Sequence, residues 1–404
     1  MSEKKQAFVR AVKLVTACVA VYLFNYLFRN VLSVATPLML QTGRYTKEGI
    51  ALLSSTYMVV YAIGQLVNGT LGDYIKPRLM VSCGTLLAGI GLVLFPLVDS
   101  QALQTVCFCL LGFGLSMLRG PLVKTVSENT APTYARFCCM LFSVTSFAGP
   151  MLASLAAMVF GWDGAFTFSG ILSLATAAGV YLLFGHYEKT GDIVPIESKG
   201  EKKKADLFVL FRTENFFIYF LLAMAVEAMI SSVGFWIPTY LTEHLGYSVE
   251  AAGGLYSMMS LLKSLGAFLC LGIVVLFHDD CMKMMGVMFA AATLLYCAMA
   301  FVRGATALVV LMTAARVVSG FGTSAMWTIY IPSLAKTGKV SGANGLLDFS
   351  GYIGASAANM VLSALIDSLG WDKMPLSFGA ITFIAAVLCL IGVILSNKRR
   401  KVEC

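Results

Sequence analysis

Charged side chains inside long apolar stretches are the residues of this sequence best placed to do chemistry. Seven are present: Arg29, Lys263, Arg316 and Glu227 near the middle of their stretches, and Arg119, Lys124 and Asp348 nearer an end. A charge at the centre of a bilayer costs at least about 2.5–3.5 kcal/mol, so such residues face a wet interior or one another. Because the central set has three cations and one acid, it predicts a binding site for an anion.

Arginine suits this role because its planar fork can hold two oxygens of a carboxylate or phosphate, and it stays charged. We expect Arg29 to bind the anionic head, with Lys263 and Arg316 as partners and Arg119 as a relay. Lys124 is interpreted as a gate or snorkelling residue. Internal pairing is the alternative, for example of Glu227 with Lys263, but it leaves a surplus of cations.

Tyrosines recur at helical spacing beside these charges. Tyr22, Tyr26 and Arg29 are four and three residues apart, which places them on one face of a helix. Tyr57 and Tyr61 repeat in the same way on the second apolar stretch. These four tyrosines are predicted to shape the substrate pocket, although packing is an alternative role for them.

Glu227 and Asp348 are the acids that lie well inside apolar stretches. Burial raises the pKa of a carboxyl group, so either residue could exchange a proton near neutral pH. They are therefore interpreted as proton-coupling residues or as fixed counter-ions to the cations.

The elements that must position these residues are membrane helices. Of 404 residues, 58% are hydrophobic and 12% are charged, and the mean hydropathy is +0.82. Ordinary soluble domains are about a quarter charged, which excludes a soluble enzyme, a nucleic-acid-binding module and a disordered chain. Apolar runs predict twelve spans at about 12–39, 49–71, 79–98, 102–126, 135–160, 164–184, 214–244, 249–275, 283–302, 305–332, 341–368 and 374–395.

The twelve spans divide into two related halves. Residues 1–185 and 214–404 are each predicted to form a six-helix bundle, joined by a cytoplasmic linker at 186–213. The sequence Gly161-Trp162-Asp163 recurs 209 residues later as Gly370-Trp371-Asp372. The predicted fold is therefore an all-α membrane protein of twelve transmembrane helices in two pseudo-symmetric halves, as in alternating-access transporters.

Lysine and arginine fix the expected orientation. Of 29 such residues, 20 fall on the side of the two termini and four on the other. This bias predicts cytoplasmic termini and explains the net charge of +8 without nucleic acid. The 11 cysteines include no C-x-x-C pair, and we expect no metal or cofactor. We expect a monomer in a cell membrane, most simply a bacterial inner membrane, with the lipid bilayer and a small anion as its partners.

A loop after the second span carries Gly69, Asp73 and Arg78. This segment resembles the loop signature of the major facilitator superfamily, which implies a conformational lock at these residues. Within that superfamily, Tyr26-Leu27-Phe28-Arg29 and Trp236-Ile237-Pro238-Thr239-Tyr240-Leu241 resemble the organophosphate:phosphate antiporters. The resemblance implies substrate binding by Arg29 and exchange against inorganic phosphate. Where those carriers have a second arginine, this chain has Ile230.

The leading hypothesis is a secondary active transporter of a small organic anion, either an organophosphate or a carboxylate, that works by alternating access. A proton or inorganic phosphate is the expected coupling ion. One alternative is a transporter-like membrane receptor for an organophosphate, and another is a proton-coupled exporter of a drug or metabolite. An enzyme is not expected, because the sequence has no catalytic constellation.

Overall fold

The computed structural model describes residues 3–194, 210–211, 215–278 and 280–403. Throughout these residues the regular structure is helical, and none of them forms a β-strand. This follows from the composition, because a helix satisfies every backbone hydrogen bond within a segment that lipid surrounds.

The first half forms six helices. They are α1 (Glu3–Gln41), α2 (Lys47–Leu71), α3 (Pro77–Leu94), α4 (Gln101–Ser116), α5 (Arg119–Asn129) and α6 (Pro132–Lys189). Proline occupies the first position of α3 and of α6, where its missing N–H costs nothing. Thr46 caps α2, because its side chain accepts a hydrogen bond from the backbone N–H of Gly49.

Helix α6 is long enough to cross a membrane twice. Its 58 residues would extend about 87 Å at ~1.5 Å per residue, against about 30 Å for a bilayer core. The helix is broken at Gly161, whose φ of 72° and ψ of −175° lie outside the helical region. The break separates the two spans predicted at 135–160 and 164–184.

The second half also forms six helices in the described residues. They are α7 (Phe216–Thr239), α8 (Val249–Leu276), α9 (Cys281–Ala298), α10 (Ala305–Ala325), α11 (Val340–Leu369) and α12 (Met374–Glu403). Between α10 and α11 the chain forms a π-helical turn at Met326–Tyr330 and a 3-10 turn at Leu334–Thr337. With α4 and α5 taken as one span and α6 as two, these helices give the twelve spans of the predicted fold.

Eight helical stretches of the described residues are long and apolar enough to cross a membrane, with α6 counted once. The number rises to nine if the bent pair Ala251–Ser264 and Leu269–Leu276 is one span. Residues 195–209 and 212–213 of the linker predicted at 186–213 lie outside the described residues.

The chain forms two compact units. Unit 1 comprises Met1–Leu207 and Ile331–Leu346, and unit 2 comprises Phe208–Tyr330 and Leu347–Cys404. The segment Ile331–Leu346 belongs by sequence to the second half but packs with unit 1, for reasons that the contacts of Asp73 explain below.

The glycines of the repeated Gly-Trp-Asp sequence adopt the same backbone conformation. Gly370 has a φ of 76° and a ψ of 174°, close to the values at Gly161. Side chains other than hydrogen rarely tolerate this region, so glycine is required at both turns. In unit 1 the ring of Trp162 packs edge-on against Tyr45, and in unit 2 that of Trp371 packs against Trp236. The repeat seen in the sequence is therefore also a repeat in local structure.

Candidate functional site

Arg316 is the centre of a polar cluster in unit 2. It lies on α10 and is 7% exposed. Its Nη2 donates a hydrogen bond to Oγ of Ser260 on α8, over 3.1 Å. Its Cζ lies 4.5 Å from the ring centre of Tyr256, one turn earlier on α8. The guanidinium is thus fixed by a hydrogen bond and by a cation–π contact.

Two other nitrogens of Arg316 have unsatisfied hydrogen-bonding capacity. Nε and Nη1 are buried and have no hydrogen-bond partner among the described residues. A buried donor without a partner costs about 1–3 kcal/mol, and more when it is charged. A group of this kind is suited to an anion that supplies the missing acceptors.

Lys263 lies beside Arg316. It follows Ser260 by three residues on α8, and its aliphatic stem packs against Gly320, one turn beyond Arg316 on α10. A Cβ at Gly320 would lie 2.8 Å from Cγ of Lys263, so only glycine leaves room for this stem. Helical register on α8 and α10 therefore brings two cations together.

One acid interacts electrostatically with Lys263. Glu227 on α7 packs against α11, where a Cβ at Gly351 would collide with its side chain. Lys263 interacts electrostatically with both Glu227 and Arg316. Asp348 is buried on α11, three residues before Gly351, and has interactions of its own. The ion pair of Glu227 with Lys263 was the alternative to an anion site. Both interpretations therefore involve the same group of residues in unit 2.

Unit 1 has a separate cation–aromatic cluster. Cζ of Arg29 lies 5.1 Å from the ring centre of Tyr61, whose ring stacks on Tyr57 at 5.6 Å. The ring centres of Tyr22 and Tyr26 are 5.3 Å apart on the same helix as Arg29. Each of these residues thus has an aromatic or cationic neighbour in unit 1, and their role in shaping a substrate pocket stays a prediction.

Arg119 begins α5 and is half-buried. It interacts electrostatically with Cys139 on α6 and has further interactions within the protein. Its assignment as a relay stays a prediction.

Asp73 binds the first turn of α11. In the turn between α2 and α3, its Oδ1 accepts a hydrogen bond from the backbone N–H of Ser341 at 3.0 Å, and its Oδ2 one from Gly342 at 2.9 Å. The first N–H groups of a helix have no partner within it and carry partial positive charge. Asp73 therefore caps α11, which is one reason that Ile331–Leu346 packs with unit 1.

Lys124 completes this cluster. Its Nζ lies 3.6 Å from Oδ1 of Asp73 and donates to the carbonyl of Asp73 at 2.7 Å. Burial raises the pKa of Asp73 from 3.8 to about 6, although Lys124 and the two backbone N–H groups lower it. Lys124 thus holds the turn after α2 and is not part of either cation cluster described above. Its role as a gate stays a prediction.

Gly69 and Arg78 make different contacts from Asp73. A Cβ at Gly69 would lie 2.7 Å from Cα of Gly345, so the glycine permits α2 and α11 to cross closely. Nη1 of Arg78 lies 3.4 Å from a carboxylate oxygen of Glu188 on α6, and its Cζ is 4.6 Å from the ring of Tyr181. Of the three residues predicted to form a lock, Gly69 and Asp73 therefore contact α11, and Arg78 makes its contacts within the first half. Their action as a lock stays a prediction.

Sequence reasoning missed three residues of the Asp73 cluster. Lys339 hydrogen-bonds to the hydroxyl of Tyr74, and Ser341 and Gly342 contribute only backbone N–H groups. Every residue type except proline has a backbone N–H, so the identity of the residue does not show which N–H groups bind Asp73. The glycines at 342 and 345 were a partial signal, since small residues often mark a close helix crossing.

Residues 18–311 match the sequence profile of the Major Facilitator Superfamily, and the chain belongs to this family. The protein is accordingly a multi-pass membrane transporter and not an enzyme.

Individual relatives are distant but extend over most of the chain. The glycerol-3-phosphate transporter of Bacillus subtilis (strain 168) is 24% identical over 379 residues, 87% of this chain and 85% of the relative. The membrane sensor protein UhpC of Escherichia coli (strain K12) is 21% identical to this chain. The alignment covers 91% of this chain and 89% of UhpC. A probable L-galactonate transporter of the same organism is 28% identical, but over 41% of this chain and 37% of its own.

Solved structures support the fold. The fucose transporter FucP in the outward conformation matches with a TM-score of 0.74 at 15% identity, covering 94% of this chain and 99% of its own. A bacterial homologue of ferroportin, also outward-facing, matches with a TM-score of 0.73 at 13% identity, covering 94% and 99%. At these identities the matches establish the shared fold.

Proposed function

We propose that this transporter carries a small organic anion by alternating access and that Arg316 in unit 2 binds it. Arg29 is proposed as the anion-binding residue of unit 1. The observation that carries the proposal is the buried guanidinium of Arg316. It is held by Ser260 and Tyr256, while Nε and Nη1 have no acceptor among the described residues. An anion would supply those acceptors and neutralise the charge.

The relatives favour the same substrate class. Their names specify glycerol 3-phosphate, hexose phosphate and L-galactonate, all of which are organic anions. The chain departs from the organophosphate carriers at Ile230, where the resemblance would require a second arginine. Lys263 and Arg316 are proposed to supply the cations of the second half in its place.

The contacts of Asp73 suit a gate. We propose that the hydrogen bonds from Ser341 and Gly342 to Asp73 break and re-form during transport, on the cytoplasmic side where both termini lie. Glu227 and Asp348 are proposed as the residues that couple transport to a proton, with inorganic phosphate as the alternative coupling ion. The expected setting is a bacterial inner membrane, and the expected state is a monomer.

A second candidate function is a receptor. The relative UhpC aligns with 91% of this chain and is named a membrane sensor protein, not a transporter. A receptor would bind the same anion without moving it. Binding alone therefore cannot separate the two functions.

Two measurements test the proposal together. A thermal-shift screen of the detergent-purified protein against phosphate, glycerol 3-phosphate, hexose phosphates, sugar acids and dicarboxylates identifies ligands, since a ligand of the folded state raises the melting temperature. Counterflow of the best radiolabelled ligand in proteoliposomes then measures exchange. Transport predicts accumulation of label, whereas a receptor would bind but not exchange. Stabilisation only by cationic drugs would favour the exporter alternative instead.

A further inference from the structure

We infer that residues 190–194, at the start of the predicted linker, form a strap that keeps Lys124 in contact with Asp73 and thereby stabilises the cap of α11. Although the sequence predicts a linker here, these residues hydrogen-bond to α1 and to α5. All of the contacts lie within unit 1. The inference goes beyond the proposed function, since it does not depend on which substrate the protein carries.

Two cations of α1 hold the middle of the strap at Asp192. Nε of Arg10 donates a hydrogen bond to the backbone carbonyl of Asp192 over 2.7 Å. Nζ of Lys13 lies 3.0 Å from Oδ2 of Asp192, and the hydroxyl of Thr190 donates to the same oxygen over 3.0 Å. Arg10 and Lys13 are three residues apart, which places them on one face of α1. Asp192 is therefore held through both its backbone and its side chain.

The end of the strap is held by Asn129, the last residue of α5. Oδ1 of Asn129 accepts a hydrogen bond from the backbone N–H of Val194 over 2.8 Å. Nδ2 of Asn129 donates to the carbonyl of Thr125, four residues earlier on α5, over 2.7 Å. One amide side chain thus joins the strap to the C-terminal part of α5, where Thr125 directly follows Lys124.

The strap also covers a small cavity that Lys124 lines. Ile193 and Val194 form part of its wall, and α5 contributes Lys124 and Thr125. Ile193 is buried, and Lys124 is 4% exposed. A lysine ammonium group takes up contact with water wherever its flexible stem can reach it. By covering this cavity, the strap removes a route by which Lys124 could leave Asp73.

Lys124 supports the cap because it binds the turn that carries Asp73. Its Nζ donates to the carbonyls of Gly72 and Asp73 over 3.2 and 2.7 Å and lies 3.6 Å from the carboxylate. That carboxylate accepts the backbone N–H groups of Ser341 and Gly342. A buried carboxylate that loses its cation is strongly destabilised. Release of the strap should therefore loosen the first turn of α11.

Hydrogen–deuterium exchange of the detergent-purified full chain tests the inference without any substrate. Asp192→Ala removes the carboxylate that binds Lys13 and so releases the middle of the strap. The amides of Ser341 and Gly342, followed by mass spectrometry, should then exchange at least about fivefold faster than in the wild type, because their acceptor is held less firmly. Lys13→Met breaks the same ion pair from α1 and should give the same result, which keeps the test available if Asp192→Ala does not fold.

Asp99→Ala is the matched control. It makes the same substitution in unit 1 and breaks the ion pair of Asp99 with Arg44. Exchange at the first turn of α11 should keep its wild-type rate in this variant. Lys124→Met tests the route, because once Lys124 is absent Asp192→Ala should add little further acceleration.

The inference is overturned if neither Asp192→Ala nor Lys13→Met accelerates exchange at Ser341 and Gly342. It is also overturned if Asp192→Ala has its full effect in the Lys124→Met background. Acceleration that spreads evenly through every helix of unit 1 would indicate general destabilisation and would overturn it as well. None of these outcomes concerns anion binding, so the proposed function is tested separately by counterflow.

Discussion

Nη2 of Arg316 on α10 donates a hydrogen bond to Oγ of Ser260 on α8 across 3.1 Å. This bond holds the guanidinium over the ring of Tyr256, while Nε and Nη1 have no acceptor among the described residues. A group that is both held in place and unsatisfied is prepared to bind an anion.

Replacing Arg316 by alanine should reduce uptake of the substrate at least about thirtyfold. Loss of a charged hydrogen bond of ~2 kcal/mol in a buried site has this effect. Initial uptake rates in proteoliposomes measure the change. Arg303→Ala, which removes an exposed arginine before α10, is the control and should behave like the wild type. Uptake by Arg316→Ala within twofold of the wild type would remove Arg316 from the site.

Replacing Arg29 by lysine should abolish or severely weaken uptake and leave the fold intact. The positive charge is retained, but the planar fork and its position over the ring of Tyr61 are lost. Uptake and the melting temperature in detergent are measured together. Arg44→Lys makes the same substitution in an exposed ion pair with Asp99 and should retain uptake. Normal transport by Arg29→Lys would show that unit 1 binds substrate elsewhere.

Gly320→Ala should weaken substrate binding about tenfold without unfolding the protein. The new methyl group would lie 2.8 Å from Cγ of Lys263 and force its flexible stem away from Arg316. Binding is measured by thermal shift at increasing ligand concentration. Gly253→Ala on α8 meets nothing within 4 Å, so it should leave binding unchanged. Equal affinities for the two variants would contradict the role given to Lys263.

The stability difference between the wild type and Asp73→Asn should depend on pH. Because the pKa of Asp73 is about 6 in the folded chain and near 3.8 when unfolded, the folded state binds the proton more tightly between these values. Lowering the pH from 7.5 to 5 should therefore stabilise the wild type by about 1.4 kcal/mol relative to the variant. Melting temperatures of both proteins at the two pH values measure this. A difference that is constant with pH would show that Asp73 titrates normally.

Much of the architecture could be predicted because it depends on local properties of the chain. Apolar runs located the spans, and the spacing of Tyr22, Tyr26 and Arg29 placed them on one face of α1. The span predicted at 102–126 corresponds to one apolar helical stretch, Gln101–Asn129, but the sequence did not predict its interruption between Ser116 and Arg119. A break of this kind depends on packing against neighbouring helices, and single-residue preferences do not report it.

The partners of the candidate residues could not be predicted in the same way. That Ser260 meets Arg316 depends on which faces of α8 and α10 pack together, and helical period does not determine this. The pairing of Asp73 with Ser341 and Gly342 joins residues 268 and 269 positions apart through backbone N–H groups. The placement of Tyr22 and Tyr26 beside Arg29 was easier to predict, because all three residues lie on one helix.

Counterflow in proteoliposomes loaded with an unlabelled organic anion tests most directly whether this protein is an anion transporter. The anion is the best ligand of the thermal-shift screen, and the wild type is compared with Arg316→Ala. We predict that the wild type accumulates the labelled anion transiently and that Arg316→Ala does not, although both melt at similar temperatures. Equal accumulation by the two proteins, or binding by the wild type without any accumulation, would contradict anion transport through Arg316.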